Sequence, residues 1–530
     1  MIIKQNLTEE DFRGELFRDW KVQLKGNNDI LVLTRPDVIK DVHRQYLEAG
    51  SDIICTNTFS SQRISQAEYL LTDYVEQLNH AAVRIAKEVR EEVLAKEKAE
   101  GKAEREIFIL GDVGPSASML SMSDDVNNPA SRSMTFDEME AAFIEQIRVL
   151  VSEGVDGIIL ETCFDTLNIK AEISAFQKVL AETGTDIPLF ISFTISDASG
   201  RTLSGQTVEA VITSIAHAKP FVVGMNCGLG AEAMVQYIRR IKSALESLPN
   251  IQHPSPNTHH QAFISCHPNA GLPNQFGEYD DTPEDMVHQM RPMLDEGLVD
   301  IIGGCCGTTP EHIAALKELI ASYEEQDGNH PSPSTRHPAP DTHNLKVAGL
   351  EAFSYSPDDF VVVGERCNVA GSRKFLRLIN EKKYDEALDI ARTQVEKGAM
   401  VIDVNMDDGL LDAKEEMATF LNLLMSDPSI CRVPIMVDSS RFDVIETGLK
   451  CCQGKCIVNS ISLKQGEEEF LDHARVVKRL GAAVIVMLFD EEGQANDYER
   501  RIQIAERAYR LLVDVVGINP DDIIFDPNVL

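Results

Sequence analysis

The sequence predicts an α/β protein built from two (β/α)8 barrels of the TIM type in tandem, and two observations lead to this fold class. Short apolar segments of strand length recur along the chain, each followed by a longer segment in which apolar residues return every three or four positions. A stretch rich in proline, serine and other polar residues interrupts this alternation once, and the alternation then restarts. Continuous apolar strands alternating with amphipathic helices are typical of a parallel sheet buried on both faces.

Seven strand-length segments are predicted before the interruption. They are Asp52–Thr56, Ile107–Gly111, Gly157–Glu161, Pro188–Thr194, Phe221–Asn226, Ala262–Cys266 and Asp300–Gly304. The helical segments between them include Phe136–Glu153 and Glu232–Leu248. Seven such units in roughly 300 residues favour a βα barrel over a doubly wound sheet, although the count is one strand short of eight.

The interruption spans residues 326–345 and is predicted to be an interdomain linker, between a first domain at 1–325 and a second at 346–530. Six more strand-length segments follow it. They are Phe360–Glu365, Met400–Asn405, Pro434–Asp438, Cys456–Ile461, Ala482–Phe489 and Asp522–Asp526. The second barrel is therefore expected to be incomplete, ending after about six of its eight strands.

Composition excludes several classes of function. The 530 residues contain 50 Lys and Arg against 85 Asp and Glu, a net charge of −35 that would repel nucleic acid. No apolar run reaches the length of a transmembrane helix, and the amino-terminal residues do not form a signal peptide. Eleven dispersed cysteines do not make a disulfide framework, so reduced thiols and a cytoplasmic location are expected.

The strongest chemical signal is a glycine-flanked cysteine pair, taken together with a third cysteine. The pair stands in Gly303-Gly304-Cys305-Cys306-Gly307 and the third thiol in Asn226-Cys227-Gly228, each at the carboxyl end of a predicted strand. Adjacent strand residues face opposite sides, so the glycines are expected to permit the bend that turns both sulfurs inward. Three thiolates with an open fourth position are typical of a catalytic zinc site, whereas three buried cysteines acting as small apolar residues are the alternative.

These cysteine motifs resemble the zinc signature of the homocysteine S-methyltransferase family. Longer segments narrow the resemblance to the cobalamin-dependent methionine synthase family. They are Gly26–Asp29, Asp197–Thr207, His267–Asn274, Gly364–Phe375 and Asp438–Ser440, and with the cysteine motifs they extend the resemblance over nearly the whole chain. The resemblance implies a zinc barrel that binds homocysteine and a second barrel that binds 5-methyltetrahydrofolate. In that family the methyl group passes between the two substrates via cobalamin, in methionine biosynthesis.

In the first barrel, the resemblance makes Cys227, Cys305 and Cys306 the zinc ligands, with the homocysteine thiol in the fourth position. A free thiol has a pKa of about 8.5, and zinc would hold it as the nucleophilic thiolate at neutral pH. Glu161 is the candidate for binding the substrate ammonium, with a helix-capping or loop-bonding carboxylate as the alternative. Asn226 is the candidate for orienting a ligand or the amino acid, with simple termination of its strand as the alternative.

In the second barrel, the resemblance makes Asp438, Asn459 and Asp526 the pterin-binding residues, because a carboxylate suits the donor-rich edge of the pterin. Gly371, Ser372 and Arg373 are similar to a segment that also touches the folate, and Arg373 has the charge to meet a folate carboxylate. Further candidates at strand ends are Glu365, Asn368, Asp403 and Asn405. Cys451, Cys452 and Cys456 have no accompanying histidine or fourth thiol, so they are expected to be structural.

The chain also departs from the family pattern. The family's first barrel opens with a strand carrying Asp-Gly-x-Met-Gly, whereas Met1–Asn6 leads directly into Leu7–Gly14, so that strand is expected to be missing. Cys55 stands where the family usually has glutamate, and no Asp-x-His-x-x-Gly cobalamin motif is present. The leading hypothesis is the homocysteine and folate half of a methionine synthase. A truncated or degenerate non-catalytic copy that keeps zinc and folate binding, and a cobalamin-free homocysteine S-methyltransferase, stay open as alternatives.

Overall fold

Two parallel β-sheets, one in each half of the chain, organise the protein. A computed structural model describes residues 1–195, 199–248, 262–326 and 343–529. In the first half, seven strands pair in sequential order, each parallel to the next. They are β1 (Ile53–Cys55), β2 (Phe108–Val113), β3 (Gly157–Cys163), β4 (Leu189–Phe193), β5 (Val222–Gly230), β6 (Phe263–Asn269) and β7 (Ile301–Ile302).

The second half begins with an antiparallel hairpin and then builds its own parallel sheet of six strands. The hairpin is β8 (Leu345–Ala348) with β9 (Ala352–Tyr355). The sheet contains β10 (Val363–Asn368), β11 (Val401–Asn405), β12 (Ile435–Asp438), β13 (Ile457–Ile461), β14 (Ala483–Met487) and β17 (Ile523–Asp526). Between β14 and β17 the chain forms a separate hairpin of two short strands, β15 (Phe489–Asp490) and β16 (Gly493–Gln494). The sheet order is β10-β11-β12-β13-β14-β17.

Helices connect the strands throughout. In the first half they are α1 (Glu9–Arg13), α2 (Leu31–Thr34), α3 (Pro36–Glu48), α4 (Arg63–Ala67), α5 (Val75–Ala99), α6 (Phe136–Ser152), α7 (Thr166–Thr183), α8 (Val208–Ile215), α9 (Ala231–Glu246), α10 (Pro283–Asp295) and α11 (Pro310–Gln326). In the second half they are α12 (Arg373–Asn380), α13 (Tyr384–Glu396), α14 (Ala413–Met425), α15 (Pro428–Cys431), α16 (Phe442–Leu449), α17 (Glu467–Arg479) and α18 (Tyr498–Arg510). Among the described residues, no helix is both long and apolar enough to span a membrane.

The predicted fold class is confirmed, including the strand count of each half. Each of the thirteen predicted segments overlaps a strand of one of the two parallel sheets. Across the described ranges, the first sheet ends at β1 and β7 and the second at β10 and β17, so neither closes into a ring of eight. The hairpin of β8 and β9 was not predicted, and the linker interpretation of residues 327–342 and the Asp197 position lie outside the described residues.

Burial on both faces of the first sheet explains its continuous apolar strands. Ile159 packs inside the curved sheet with Leu110, Phe190 and Val222 of the neighbouring strands. Its neighbour Ile158 points to the other face and joins the large core beneath the helices. Because adjacent strand residues alternate faces, a strand covered on both sides must be apolar at every position.

The two halves pack directly against each other through the β8–β9 hairpin. The buried side chain of Gln206 donates from Nε2 to Gly349 O at 2.7 Å, and Thr207 N donates to Leu350 O at 3.0 Å. From the second half, Gln453 Nε2 donates to Ser204 O at 3.1 Å. These bonds hold the segment 202–207 against the hairpin, so polar residues whose role the sequence left undefined form part of the interface between the halves.

Candidate functional site

Three cysteine sulfurs converge at the carboxyl ends of β5 and β7. The Sγ atoms of Cys227, Cys305 and Cys306 lie within 4.8 Å of one another, and Cys306 Sγ is 3.7 Å from Cys227 Sγ and 4.0 Å from Cys305 Sγ. Sulfurs at about 2.3 Å from a tetrahedral zinc ion are about 3.8 Å apart. The three partly buried thiols therefore fit zinc with one position left open. Within the described part of the chain, no other group of His, Cys, Asp or Glu side chains meets this spacing.

Mutual hydrogen bonding controls the protonation of these thiols. The pKa of Cys306 is lowered because the Cys227 and Cys305 thiols hydrogen-bond to its sulfur, with Tyr279 as a further donor. The pKa of Cys305 is raised by the same contacts, since it donates its proton to them. Three adjacent thiolates would repel one another, so a divalent cation would be needed to hold all three sulfurs in that form.

The turn after β7 brings the adjacent thiols to one side. β7 ends before the cysteine motif, so the alternation of a strand no longer applies to Cys305 and Cys306. Gly307 has a φ of +81°, a conformation that glycine adopts readily and that belongs to the bend predicted at the flanking glycines. Gly304 has no positive φ and is required for another reason, because a Cβ there would lie 2.2 Å from Thr308 Cγ2.

A break in the pairing of β5 with β6 sets the direction of the Cys227 side chain. The β5–β6 register shifts between Asn226 and Gly230, and within that break Cys227 has φ of +58° and Gly228 φ of +70°. A positive φ is uncommon for a residue other than glycine, and such bulges are typical of positions where a side chain is redirected at a functional site.

Asn226 is fully engaged by protein groups. Its side chain is only 1% exposed. Its Oδ1 accepts from Thr162 N at 2.9 Å and from Ser192 Oγ at 2.7 Å, while Nδ2 donates to Thr162 Oγ1 at 2.7 Å and approaches Cys305 Sγ at 3.8 Å. With both ends of the amide occupied, Asn226 positions the β3 terminus and the Cys305 sulfur.

Glu161 forms a buried carboxyl pair with Asp112 beside the thiols. Burial raises the pKa of Glu161 to about 7 and that of Asp112 well above its usual value, and the two side chains hydrogen-bond to each other. Asp112 Oδ1 is buried without a hydrogen-bond partner among the described residues, and two neighbouring carboxyls can hydrogen-bond to each other only when one of them is protonated. Cys55 faces the pair, and its thiol pKa is raised by burial and by both carboxyls. A pocket of this polarity suits a cationic ammonium group.

A cavity of about 620 Å³ connects these groups along the seam between β1 and β7. Its lining includes Cys55, Glu161, Asn226, His267 and Cys305. Burial lowers the pKa of His267 to about 4, so the ring is neutral at physiological pH. The Glu161 carboxyl and the Cys305 sulfur share one space, as required for an amino acid held at both its ammonium and its thiol.

The second half places its polar residues in one layer across neighbouring strands. Asn405 is in register with Asp438, and Asp438 with Asn459, on β11, β12 and β13. Asn368 at the end of β10 donates from Nδ2 to Asp438 Oδ2 at 3.2 Å and approaches Asp403 Oδ2 at 3.5 Å. The predicted candidates on these four strands therefore meet at the carboxyl end of the sheet.

Two carboxyls in this layer are poised to change protonation near neutral pH. Burial, with the charge of Asp438 as a second cause, raises the pKa of Asp403 to about 7, and burial raises that of Asp438 to about 6. Asp403 Oδ1 is buried without a hydrogen-bond partner among the described residues. An unsatisfied carboxyl oxygen next to an ionisable neighbour fits a ligand that presents several hydrogen-bond donors.

The remaining predicted residues lie around this layer. Gly371 N donates to Asn368 Oδ1 at 2.9 Å, and Ser372 caps α12 by accepting from Phe375 N at 3.3 Å. Arg373 is exposed in the first turn of α12. Asp526 ends β17, which is separated from the Asn459 strand by β14, and its Oδ1 accepts from Asn528 N at 2.8 Å.

Sequence reasoning missed three residues that belong to these sites. Asp112 pairs with Glu161, Tyr279 hydrogen-bonds to Cys306, and Asp407 accepts from Ser439 Oγ at 2.6 Å beside the second layer. A charged residue inside the apolar strand Phe108–Val113 is the signal that would have identified Asp112. Tyr279 lies in a polar loop that carries no comparable signal.

Comparison with known proteins adds two family matches. A family model described as homocysteine S-methyltransferase matches residues 1–320, and one described as pterin binding enzyme matches residues 364–530. Among solved structures, the homocysteine methyltransferase MmuM from Escherichia coli is 23% identical in its metallated form and 22% in its oxidized form. Each alignment covers 54% of this chain and 86% of that chain with a TM-score of 0.41. A 2-naphthoyl-CoA reductase complex is 11% identical over 93% of this chain and 82% of that chain, with a TM-score of 0.33. These TM-scores are too low to support any inference about the sites.

Proposed function

Because this chain belongs to the homocysteine S-methyltransferase family over residues 1–320 and carries a pterin-binding domain over residues 364–530, we propose that it is the homocysteine and folate half of a methionine synthase. Residues 1–325 form the zinc-dependent homocysteine barrel, 326–345 the linker and 346–530 the barrel that binds 5-methyltetrahydrofolate. The methyl group passes from the folate to homocysteine by way of cobalamin, for which the chain's 530 residues contain no Asp-x-His-x-x-Gly motif.

The spacing of the three sulfurs carries the proposal for the first barrel. Cys227, Cys305 and Cys306 bind zinc, and the metal supplies Lewis-acid stabilisation of a thiolate at the open position. Tyr279 hydrogen-bonds to the Cys306 sulfur and Asn226 Nδ2 contacts the Cys305 sulfur, so these two residues stabilise the positions of the ligand sulfurs. The Glu161–Asp112 pair binds the substrate ammonium and loses its bound proton to solvent, so that the ammonium supplies the positive charge that the proton supplied before.

The layer of amide and carboxyl groups supports the proposal for the second barrel. Asp438, once ionised, accepts hydrogen bonds from the amino-pyrimidine edge of the pterin, and Asn459 lies beside it in register. Asp403 has an unsatisfied oxygen that a ligand donor would complete. Gly371, Ser372 and Arg373 border the mouth, where Arg373 is free to meet a carboxylate of the folate. Asp526 flanks the ring from β17.

Metal analysis of the zinc-loaded full chain tests the zinc assignment. We expect about one zinc per chain in the parent and in Cys451→Ala, a control that removes a thiol of the second half. We expect a sharp loss in Cys306→Ala and Cys305→Ala, because two sulfurs cannot replace three. X-ray absorption should gain one sulfur ligand when homocysteine is added. Equal zinc in all four proteins would reject the thiol site.

A methyl-transfer assay tests the reaction. We expect the purified chain to methylate homocysteine from added methylcobalamin, and the reaction between methyltetrahydrofolate and homocysteine to require added cobalamin. Full turnover without cobalamin would instead support a cobalamin-free homocysteine methyltransferase. Zinc and folate binding with no transfer in either assay would support the non-catalytic alternative.

A further inference from the structure

A second cavity, of about 390 Å³, lies between the two halves of the chain. Its lining residues stand at the amino ends of strands: Lys219 precedes β5, Lys455 precedes β13, Ala482 precedes β14 and Asp522 precedes β17. The Cys227, Cys305 and Cys306 thiols, and the polar side chains around Asp438, lie at the carboxyl ends of their strands. Because all strands of a parallel sheet point the same way, this cavity is on the opposite side of each sheet from the candidate sites, so neither site accounts for it.

Four lysines line this interdomain cavity. They are Lys219 from the first half and Lys346, Lys455 and Lys478 from the second. The other ionisable side chains in the lining are His217 and Asp522, and Asp521 adjoins it. A concentration of four cations in one cavity is unusual in a chain whose net charge is −35.

The protein neutralises about half of this positive charge, because two carboxylates, Asp522 and Asp521, accompany the four lysines. Lys455 pairs with Asp522 at 2.6 Å, and Asp521 contacts His343 at 3.1 Å. Lys346 and Lys478 bond to neutral oxygens, Ser247 Oγ at 2.8 Å and Val516 O at 2.7 Å. Lys219 is exposed, and among the described residues its ammonium has no ion-pair or hydrogen-bond partner.

The lysines of the two halves repel each other across the cavity. Burial lowers the pKa of Lys478, and the charge of Lys219 lowers it further. The pKa of Lys346 is lowered by burial and by the charge of Lys455, while the charge of Asp521 acts in the opposite direction. Like charges brought together in a partly buried space destabilise the empty arrangement, and an anion placed between them would relieve that cost.

We propose that the interdomain cavity is a binding site for an oligophosphate, either free or as part of a nucleotide, gripped by lysines of both halves. The ammonium groups act as point charges suited to phosphate oxygens, and each lysine has at least one of its three donors left for a ligand. The neutral amides Asn344 and Asn519 also line the cavity, together with apolar residues such as Leu248, Val513 and Ile518. The volume exceeds what a single phosphate needs and lies within the usual range of small-molecule pockets.

Binding at this site would tie the two halves together. Lys219 belongs to the homocysteine barrel, whereas Lys455 and Lys478 belong to the pterin barrel. A ligand that contacts both sides only when the barrels are docked stabilises the docked state by mass action. The site would therefore strengthen the association of the barrels without contacting either substrate.

Inorganic triphosphate is the probe for the test, added to the full chain at low salt. We expect 1:1 binding by calorimetry and a rise in Tm of about 2–5 °C at saturation. Lys219→Gln/Lys478→Gln should bind at least about tenfold more weakly. Lys21→Gln/Lys464→Gln removes the same charge at exposed positions outside the cavity and should behave as the parent. Lys219→Gln alone breaks no contact within the described residues and should also weaken binding. Its result still tests the proposal if the double variant misfolds.

Further ligands distinguish binding of a free oligophosphate from binding of a nucleotide. Equal binding of triphosphate and ATP, with none of adenosine, assigns recognition to the phosphate chain, and tighter ATP binding assigns the site to a nucleotide. Absence of triphosphate binding by the parent, equal binding by the cavity and control variants, or equally tight binding of citrate would overturn the proposal. Chelation of zinc by triphosphate would affect every variant alike. A difference between the cavity double variant and the control double variant therefore reports binding at the cavity.

Discussion

Asn226 and Thr162 are joined by two hydrogen bonds between the ends of β5 and β3. Thr162 N donates to Asn226 Oδ1 at 2.9 Å, and Asn226 Nδ2 returns a bond to Thr162 Oγ1 at 2.7 Å. Thr162 has a φ of +57° and follows Glu161 directly, so this clamp fixes the backbone that carries the carboxyl group. The same amide nitrogen approaches Cys305 Sγ at 3.8 Å. One buried side chain thus sets the positions of the carboxyl and a thiol together.

Asn226→Ala is expected to weaken homocysteine binding more than zinc binding. Its loss leaves the Thr162 amide and Ser192 hydroxyl without their buried partner, a cost on the order of 1–3 kcal/mol in unfolding free energy. Three thiols remain to hold the metal. Calorimetry with homocysteine and metal analysis of the same sample separate the two effects. Ser192→Ala, which removes one bond of the network, should change both much less; an equal change would contradict the clamp.

Glu161→Gln is expected to lower homocysteine affinity by on the order of 2–3 kcal/mol, because the substrate ammonium loses a charged partner in a buried pocket. Zinc content should stay at the parental value. Glu182→Gln, on the surface of α7, is the matched control. Unchanged affinity of the Glu161 variant, measured by calorimetry, would assign this carboxyl a structural role.

Folate affinity is expected to fall as pH drops below about 6. Burial raises the pKa of Asp438 to about 6, and only the ionised form accepts two pterin donors. Affinity is therefore retained above this pKa and lost as the carboxylate is protonated. Titrations with methyltetrahydrofolate between pH 5 and 8 measure the effect. Asp438→Asn should bind weakly throughout, with the slope near pH 6 removed; a parental slope in that variant would locate the titrating group elsewhere.

Asp403→Asn is expected to stabilise the chain at alkaline pH. The folded-state pKa of Asp403 is raised from 3.8 to about 7, so the folded form binds more protons than the unfolded form between these values. The stability of the parent therefore falls as pH rises through this window. The variant cannot ionise and should gain on the order of 2–4 kcal/mol at pH 8 relative to pH 4. Denaturant unfolding measures the difference, and Asp385→Asn on the surface of α13 should show none.

Gly454→Ala is expected to loosen the docking of the two halves. A Cβ at Gly454 would lie 2.0 Å from Ala348 O, a backbone atom of β8 that cannot rotate away. The strain and the displaced hairpin should lower the unfolding free energy by on the order of 1–3 kcal/mol. Gly409→Ala is the control, because nothing lies within 4 Å of a Cβ there. Thermal unfolding that does not distinguish the two variants would show that the hairpin adapts.

The sequence by itself determined the strands, their order and the residues at their carboxyl ends. Runs such as Ile158–Leu160 and Ile435–Val437 are apolar at every position because both faces of a parallel sheet are covered, and this requirement is local enough to predict from the sequence. The sequence also predicted Cys227, Cys305 and Cys306 as candidate metal ligands, because their flanking glycines and their positions at predicted strand ends are visible in the sequence. The β8–β9 hairpin was missed because each of its strands is only four residues long and β8 begins directly after the polar stretch.

Only the tertiary structure decided which of these groups meet. Asn226 contacts Thr162 and Cys305 across 64 and 79 residues of sequence, and Glu161 pairs with Asp112 from another strand. The lysines between the barrels become one cluster through the docking of two domains. Such contacts depend on strand register and on domain packing, in which a shift of one residue turns every side chain to the opposite face. A sequence specifies that register only through the sum of all its packing interactions, so no single motif reveals it.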